Sequence, residues 1–105
     1  MGEDNELVIM ELITHGGNAR SASIEAIRAA RQHDFDKADQ LLAQAQDEMN
    51  QAHVAQTKLI VAETNGDHVA LSLLMIHAQD HVMNALTVKD LASEMVGMLR
   101  DQWKG

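Results

Sequence analysis

Proline is absent from all 105 residues, and nothing constrains the fold more. A chain built largely from Ala, Leu, Gln, Glu and Met, with no proline to interrupt it, defaults to long helices. It can turn only where its own polar residues and glycines permit. Two stretches qualify, Gln32-His33-Asp34 and Asn65-Gly66-Asp67, the latter holding the only Asn-Gly pair. They divide the chain into helices expected over about 4–31, 35–63 and 69–103, with Asp34 as N-cap of the second. The expectation is an all-α, three-helix bundle forming a single domain over residues 1–105.

Periodicity assigns faces to these helices. In the second, Phe35, Leu42, Met49 and Gln56 form one seven-residue series and Ala38, Ala45, Ala52 and Leu59 the other, a seam of alternating three and four spacing. The first helix carries a stripe of Ile9, Ile13, Ile24 and Ile27, interrupted by His15-Gly16-Gly17-Asn18. Two adjacent helical glycines cost about 1 kcal/mol each relative to Ala, so a close approach of backbone or ligand is expected there. The third helix carries two stripes. One seam runs Ala70, Leu74, His77, His81, Asn84, Val88, Leu91, Met95, Met98. A second, roughly 60° round the helix, runs Val69, Leu73, Ile76, Asp80, Met83. Two apolar stripes exceed what one three-helix bundle can cover, which predicts self-association through the second.

Composition removes several classes of function. There are 16 acidic residues against 8 basic ones, and the basic residues are scattered, which disfavours nucleic acid and anionic membranes as partners. Phe35 and Trp103 are the only aromatic residues besides the histidines, too few for base stacking. The absence of cysteine removes disulfides, thiolate chemistry and cysteine-based metal sites. No apolar run reaches the ~20 residues of a membrane span. The acidic start, Met1-Gly2-Glu3-Asp4-Asn5-Glu6, matches neither a signal peptide nor a myristoylation site. A soluble cytoplasmic protein without membrane insertion is expected.

Chemistry concentrates in Ile76-His77-Ala78-Gln79-Asp80-His81-Val82-Met83. His77 and His81 lie one turn apart on one face, where two imidazoles can share a ligand. Three readings are open. The pair is a solvated polar patch, or it supplies two ligands of a metal site in a helical oligomer, or one histidine accepts a transferred group while the other orients it. Ala78 stands where a metalloprotease motif needs Glu between its histidines. His53 and Gln56 on the second helix form a weaker polar pair.

The segment 76–83 resembles the active-site segment of the lactose/cellobiose/chitobiose-type enzyme IIA proteins of the bacterial phosphoenolpyruvate-dependent sugar phosphotransferase system. Gly17-Asn18-Ala19-Arg20-Ser21 is similar to that family's Gly-x-Ala-Arg-Ser, and Ala52-His53 with Gln56-Thr57 to its second-helix signature. Here His33-Asp34-Phe35 stands where relatives have Gly-Asp-Phe, a departure that touches a turn and no chemistry. The resemblance spans nearly the whole chain. It implies an antiparallel three-helix bundle assembled as a homotrimer, in which His77 takes a phosphoryl group from the phosphocarrier HPr and passes it to a cysteine of an enzyme IIB. It implies that Gln79 and His81 belong to the active-site segment and that Asp80 meets its two symmetry mates around a divalent metal. Three carboxylates on one axis repel unless they are protonated or a cation neutralises them, and oxygen-only ligands select a hard ion, expected to be Mg²⁺. Ala78 and Gln56-Thr57-Lys58-Leu59-Ile60 are closer to the cellobiose and chitobiose members than to the lactose ones. The residues themselves assign the roles further: His81 is the best-placed donor to a phosphorylated His77, while Gln79, about 200° round the helix, acts if at all across a subunit boundary.

Overall fold

The computed structural model describes residues 2–105, which form α1 (Gly2–Arg31), α2 (Phe35–Thr64) and α3 (Leu73–Gln102). These pack into a rod of 57 × 19 × 18 Å. Both expected turns are present, and each ends its helix in the same way. At the first, the Asp34 N–H donates to the Ala29 carbonyl at 3.0 Å and the His33 N–H to the Ala30 carbonyl at 2.9 Å. At the second, the Asp67 N–H donates to Ala62 at 2.9 Å and the Gly66 N–H to Glu63 at 3.2 Å. This crossed pair satisfies the last carbonyls of a helix and requires a left-handed residue at its centre. Gly66 supplies it at φ 90° and His33 at φ 63°. The glycine of the resembled family therefore falls where glycine is conformationally easiest, and His33 takes the same turn at a steric cost.

Asp34 caps α2 as expected, its carboxylate accepting from the Lys37 N–H at 3.2 Å. The start of α3 differs from the expectation. Periodicity continued it back to residue 69, but Ser72 lies in extended backbone and its hydroxyl accepts from the Met75 N–H at 3.1 Å. A side-chain cap ends the helix there, and Val69 instead gives its N–H to the Glu63 carboxylate at 3.2 Å.

α1 lies against both other helices, while α2 and α3 meet each other more sparingly. Gly16 approaches Val82, and Ala30 shares a cluster with Val96, so α1 and α3 run parallel with α2 antiparallel to both. The core is built of small residues. Ala19, Ala22, Ser23, Ala26 and Ala30 of α1 face Ala38, Ala45, Ala52 and Ala55 of α2 and Ala78, Ala85 and Ala92 of α3. The buried Ser23 hydroxyl donates to its own helix at the Ala19 carbonyl, 2.7 Å away. The α2 seam is found where periodicity put it, its alanines, Met49 and Leu59 buried and Phe35, Leu42 and Gln56 at its margin. On α1, only Ile9 of the isoleucine stripe is buried; Ile13, Ile24 and Ile27 flank the alanine line.

The inner seam of α3 is a correction. Met75, Ala78, Val82, Ala85, Ala92 and Val96 are buried, whereas Leu74, His77, Asn84, Leu91, Met95 and Met98 of the expected seam are exposed. Alanine permits the closest approach between helix axes and so wins the inward face over the bulkier leucines and methionines. Leu73, Ile76, Asp80 and Met83 of the second stripe are exposed as well.

Candidate functional site

The buried neighbours Ala78 and Val82 fix the rotation of α3. They leave His77 exposed and His81 half-buried where the inner face meets the outer one. The two imidazoles lie 6.1 Å apart, centroid to centroid, with their planes 23° from parallel. That spacing keeps the two rings within one site on the same helix face. Neither ring is enclosed, so a protein partner can reach His77 directly.

His81 owes its seat to α1. A Cβ built on Gly16 would stand 3.2 Å from His81 Cδ2, and one on Gly17 would stand 3.3 Å from His81 Nε2. The Cδ2–Nε2 edge of the ring thus rests over the glycine pair, which is the close approach that two adjacent helical glycines called for. α1 is itself held to α2 at this level by His15, whose Nδ1 lies 2.6 Å from Glu48 Oε2 with both side chains partly buried. No sequence signal pointed to this pair, since it depends on the register between two helices.

Gln79 turns away from His77, as its helical angle required. It is half-buried between α2 and α3, where its Oε1 accepts from Gln56 Nε2 at 2.7 Å. It also borders an apolar groove with Leu59, Ile60, Leu71 and Met75. Gln56 is therefore the α2 residue tied to the 76–83 segment. His53 is exposed at a cleft that also borders Gln56, Val82 and Met83.

Asp80 is exposed among Ile76, Met83 and Leu73, and its carboxylate accepts from Asn84 Nδ2 at 3.3 Å. Among the described residues, no three His, Cys, Asp or Glu side chains converge within one chain. A cation at Asp80 or at the His77/His81 pair would therefore draw ligands from further molecules. Asp80, an exposed carboxylate in an otherwise apolar stripe, offers oxygen ligands of the kind a hard cation takes. Among the described residues no helix is long and apolar enough to cross a membrane.

Comparison with known proteins gives a consistent picture. The family model described as PTS system, lactose/cellobiose specific IIA subunit, matches residues 7–100. The lichenan-specific phosphotransferase enzyme IIA component of Bacillus subtilis (strain 168) is 48% identical over 96 residues, covering 91% of this chain and 87% of that protein. The crystal structure of the cellobiose-specific enzyme IIA from Bacillus anthracis superposes with a TM-score of 0.93 at 42% identity, covering 100% of this chain and 96% of that one. The chitobiose IIA of Escherichia coli, solved in complex with HPr, superposes with a TM-score of 0.80 at 34% identity, covering 96% and 97%.

Proposed function

Because the chain belongs to the lactose/cellobiose-specific IIA family of the sugar phosphotransferase system, we propose that His77 is its phosphoryl carrier. The observation that carries this is the exposed His77 ring held 6.1 Å from a half-buried, sterically seated His81. The nucleophile is the lone pair of a neutral imidazole nitrogen. An N–P bond forms at His77 as the donor's bond to phosphorus breaks, and the donor atom keeps the bonding pair. HPr is the proposed donor, supported by the chitobiose IIA relative having been solved in complex with it.

Phosphorylated His77 bears about two negative charges and needs hydrogen-bond donors. From Ile76 onward the backbone N–H groups of α3 are committed to carbonyls four residues back, so around His77 side chains must serve, and the His81 ring, one turn away, is the donor within the chain. No arginine stands in segment 76–83, which suits a carrier that must release its load. Release forms an S–P bond at a cysteine of an enzyme IIB and returns the nitrogen lone pair to His77. One nitrogen serves two proteins, so both dock on overlapping surfaces around His77, where the exposed Leu74, one turn back on the same face, offers an apolar contact.

The active form is a cytoplasmic homotrimer closed through the stripe of Leu73, Ile76, Asp80 and Met83. Three Asp80 carboxylates on its axis would hold one hard divalent cation, Mg²⁺, whose part is to neutralise their charge. Gln79, turned away from His77 in its own chain, contributes to the site of a neighbouring subunit. The transported sugar is a β-linked disaccharide of the cellobiose/chitobiose class, a reading supported by the cellobiose-specific structure above.

Incubation with phosphoenolpyruvate, enzyme I and HPr tests the assignment. Wild type should gain one acid-labile phosphoryl group and His77→Ala none, with helicity unchanged. His81→Ala should label slowly, still at His77. Labelling of His77→Ala, or its loss only in His53→Ala or His81→Ala, would overturn the assignment.

A further inference from the structure

Gly16, Gly17 and Gly97 lie inside helices, and their surroundings differ. A Cβ on Gly97 of α3 would meet nothing within 4 Å. One on Gly16, which is buried, would meet the Val82 backbone Cα at 3.6 Å as well as His81, so its absence serves helix packing. One on Gly17 would meet only His81 Nε2, at 3.3 Å. No backbone and no core side chain needs the space that Gly17 leaves free.

We infer that Gly17 is a positioning residue for phosphoryl transfer: its missing methyl sets the tilt of the His81 imidazole toward His77. This rests on the proposed carrier role of His77. The base of His81 cannot move, because Val82 beside it is buried and fixes α3. A methyl on Gly17 would therefore be accommodated by rotation of the ring. A ring seated along its Cδ2–Nε2 edge passes that rotation to its opposite edge and alters its near-parallel alignment with His77. A hydrogen-bond donor acts on a transferring group only within a few tenths of an ångström of its working place, so a small rotation slows transfer.

The sign of the stability change separates this role from a packing role. Alanine in a helix interior is favoured over glycine by about 1 kcal/mol, so Gly17→Ala should raise the thermal midpoint or leave it unchanged while slowing phosphoryl acceptance about tenfold. Gly97→Ala, which faces open space, should also raise the midpoint and leave acceptance unchanged. Rapid-quench acceptance from phospho-HPr and thermal unfolding would be measured for wild type, both glycine variants, His81→Ala and the Gly17→Ala/His81→Ala pair. Without the His81 ring, Gly17→Ala should cost no further rate. Side-chain NMR should show the His81 ring resonances displaced in Gly17→Ala and not in Gly97→Ala. An unchanged rate in Gly17→Ala, an equal loss with and without His81, or a lowered midpoint would overturn the inference. Failure of wild type to accept a phosphoryl group would instead remove the carrier reading, and the ring resonances would still decide whether Gly17 seats His81.

Discussion

The two faces of α3 differ in the reverse of the usual order. Half of the buried face is alanine, with Ala78, Ala85 and Ala92 beside Met75, Val82 and Val96, while the exposed face holds Leu73, Leu74, Ile76, Met83, Leu91, Met95 and Met98. Small residues let helix axes approach closely and gain dispersion contacts along their whole length. Large apolar residues left in water gain nothing for the single chain. His77 and Asp80 sit among them. The inner face makes the bundle, and the outer face is the one to which the proposed function assigns the chemistry and the partners.

Substitutions can break this division. Ala85→Leu, on the inner face with no accessible surface, should show the largest loss of stability. Overpacking of that kind costs about 1–3 kcal/mol, and each kcal/mol lowers the thermal midpoint roughly 4–8 °C in a domain of this size. Phosphoryl acceptance measured well below the new midpoint should persist. A midpoint equal to wild type would show that the alanine seam is not close-packed.

Asp80→Leu tests the outer face. It adds an apolar side chain where one chain alone is exposed, so folding should be little changed. Sedimentation should show a wild-type assembly that weakens on chelation and a variant assembly that does not, because three carboxylates no longer need a cation. A wild-type chain that sediments as a monomer at micromolar concentration with magnesium present would remove both the trimer and its metal.

The smallest effect is expected at the far end of the rod, away from both faces in question. His33 stacks on Trp103 with centroids 3.5 Å apart and planes 16° from parallel, and Arg100 pairs with Asp39 and lies 5.4 Å over the Phe35 ring. This cluster ties the end of α3 to the first turn. His33→Gly relieves a left-handed backbone that costs an L-residue about 1–2 kcal/mol, but gives up a stack of similar worth and adds freedom to the unfolded chain. Its net change should fall below about 1 kcal/mol by denaturant unfolding, whereas Trp103→Ala loses the stack with no relief and should cost more. The opposite ranking would show that His33 bears little strain.

Much of the architecture was legible before any coordinates. The missing prolines, Asp34 as a cap, the two turns and the α2 seam are local matters, decided by backbone propensity and by spacing within one helix. The glycine pair even announced a close approach, though not what approached. The start of α3 was misread because a hydroxyl cap at Ser72 outweighs a continuing apolar period. Candidate site residues in 76–83 were legible for a similar reason: i and i+4 place His77 and His81 together on any helix.

Only tertiary structure decided which way α3 turns. Periodicity says which residues share a face, but when more than one face is apolar it does not say which one is buried. That choice falls to the fit between helices, where alanine against alanine allows an approach that leucine prevents. The rotation it imposes turns His77 outward, seats His81 on Gly16 and Gly17, and hands Gln79 to Gln56. The pairing of His15 with Glu48 follows from the same registers. Each of these contacts joins residues distant in the chain, and no spacing along one helix encodes the offset of another.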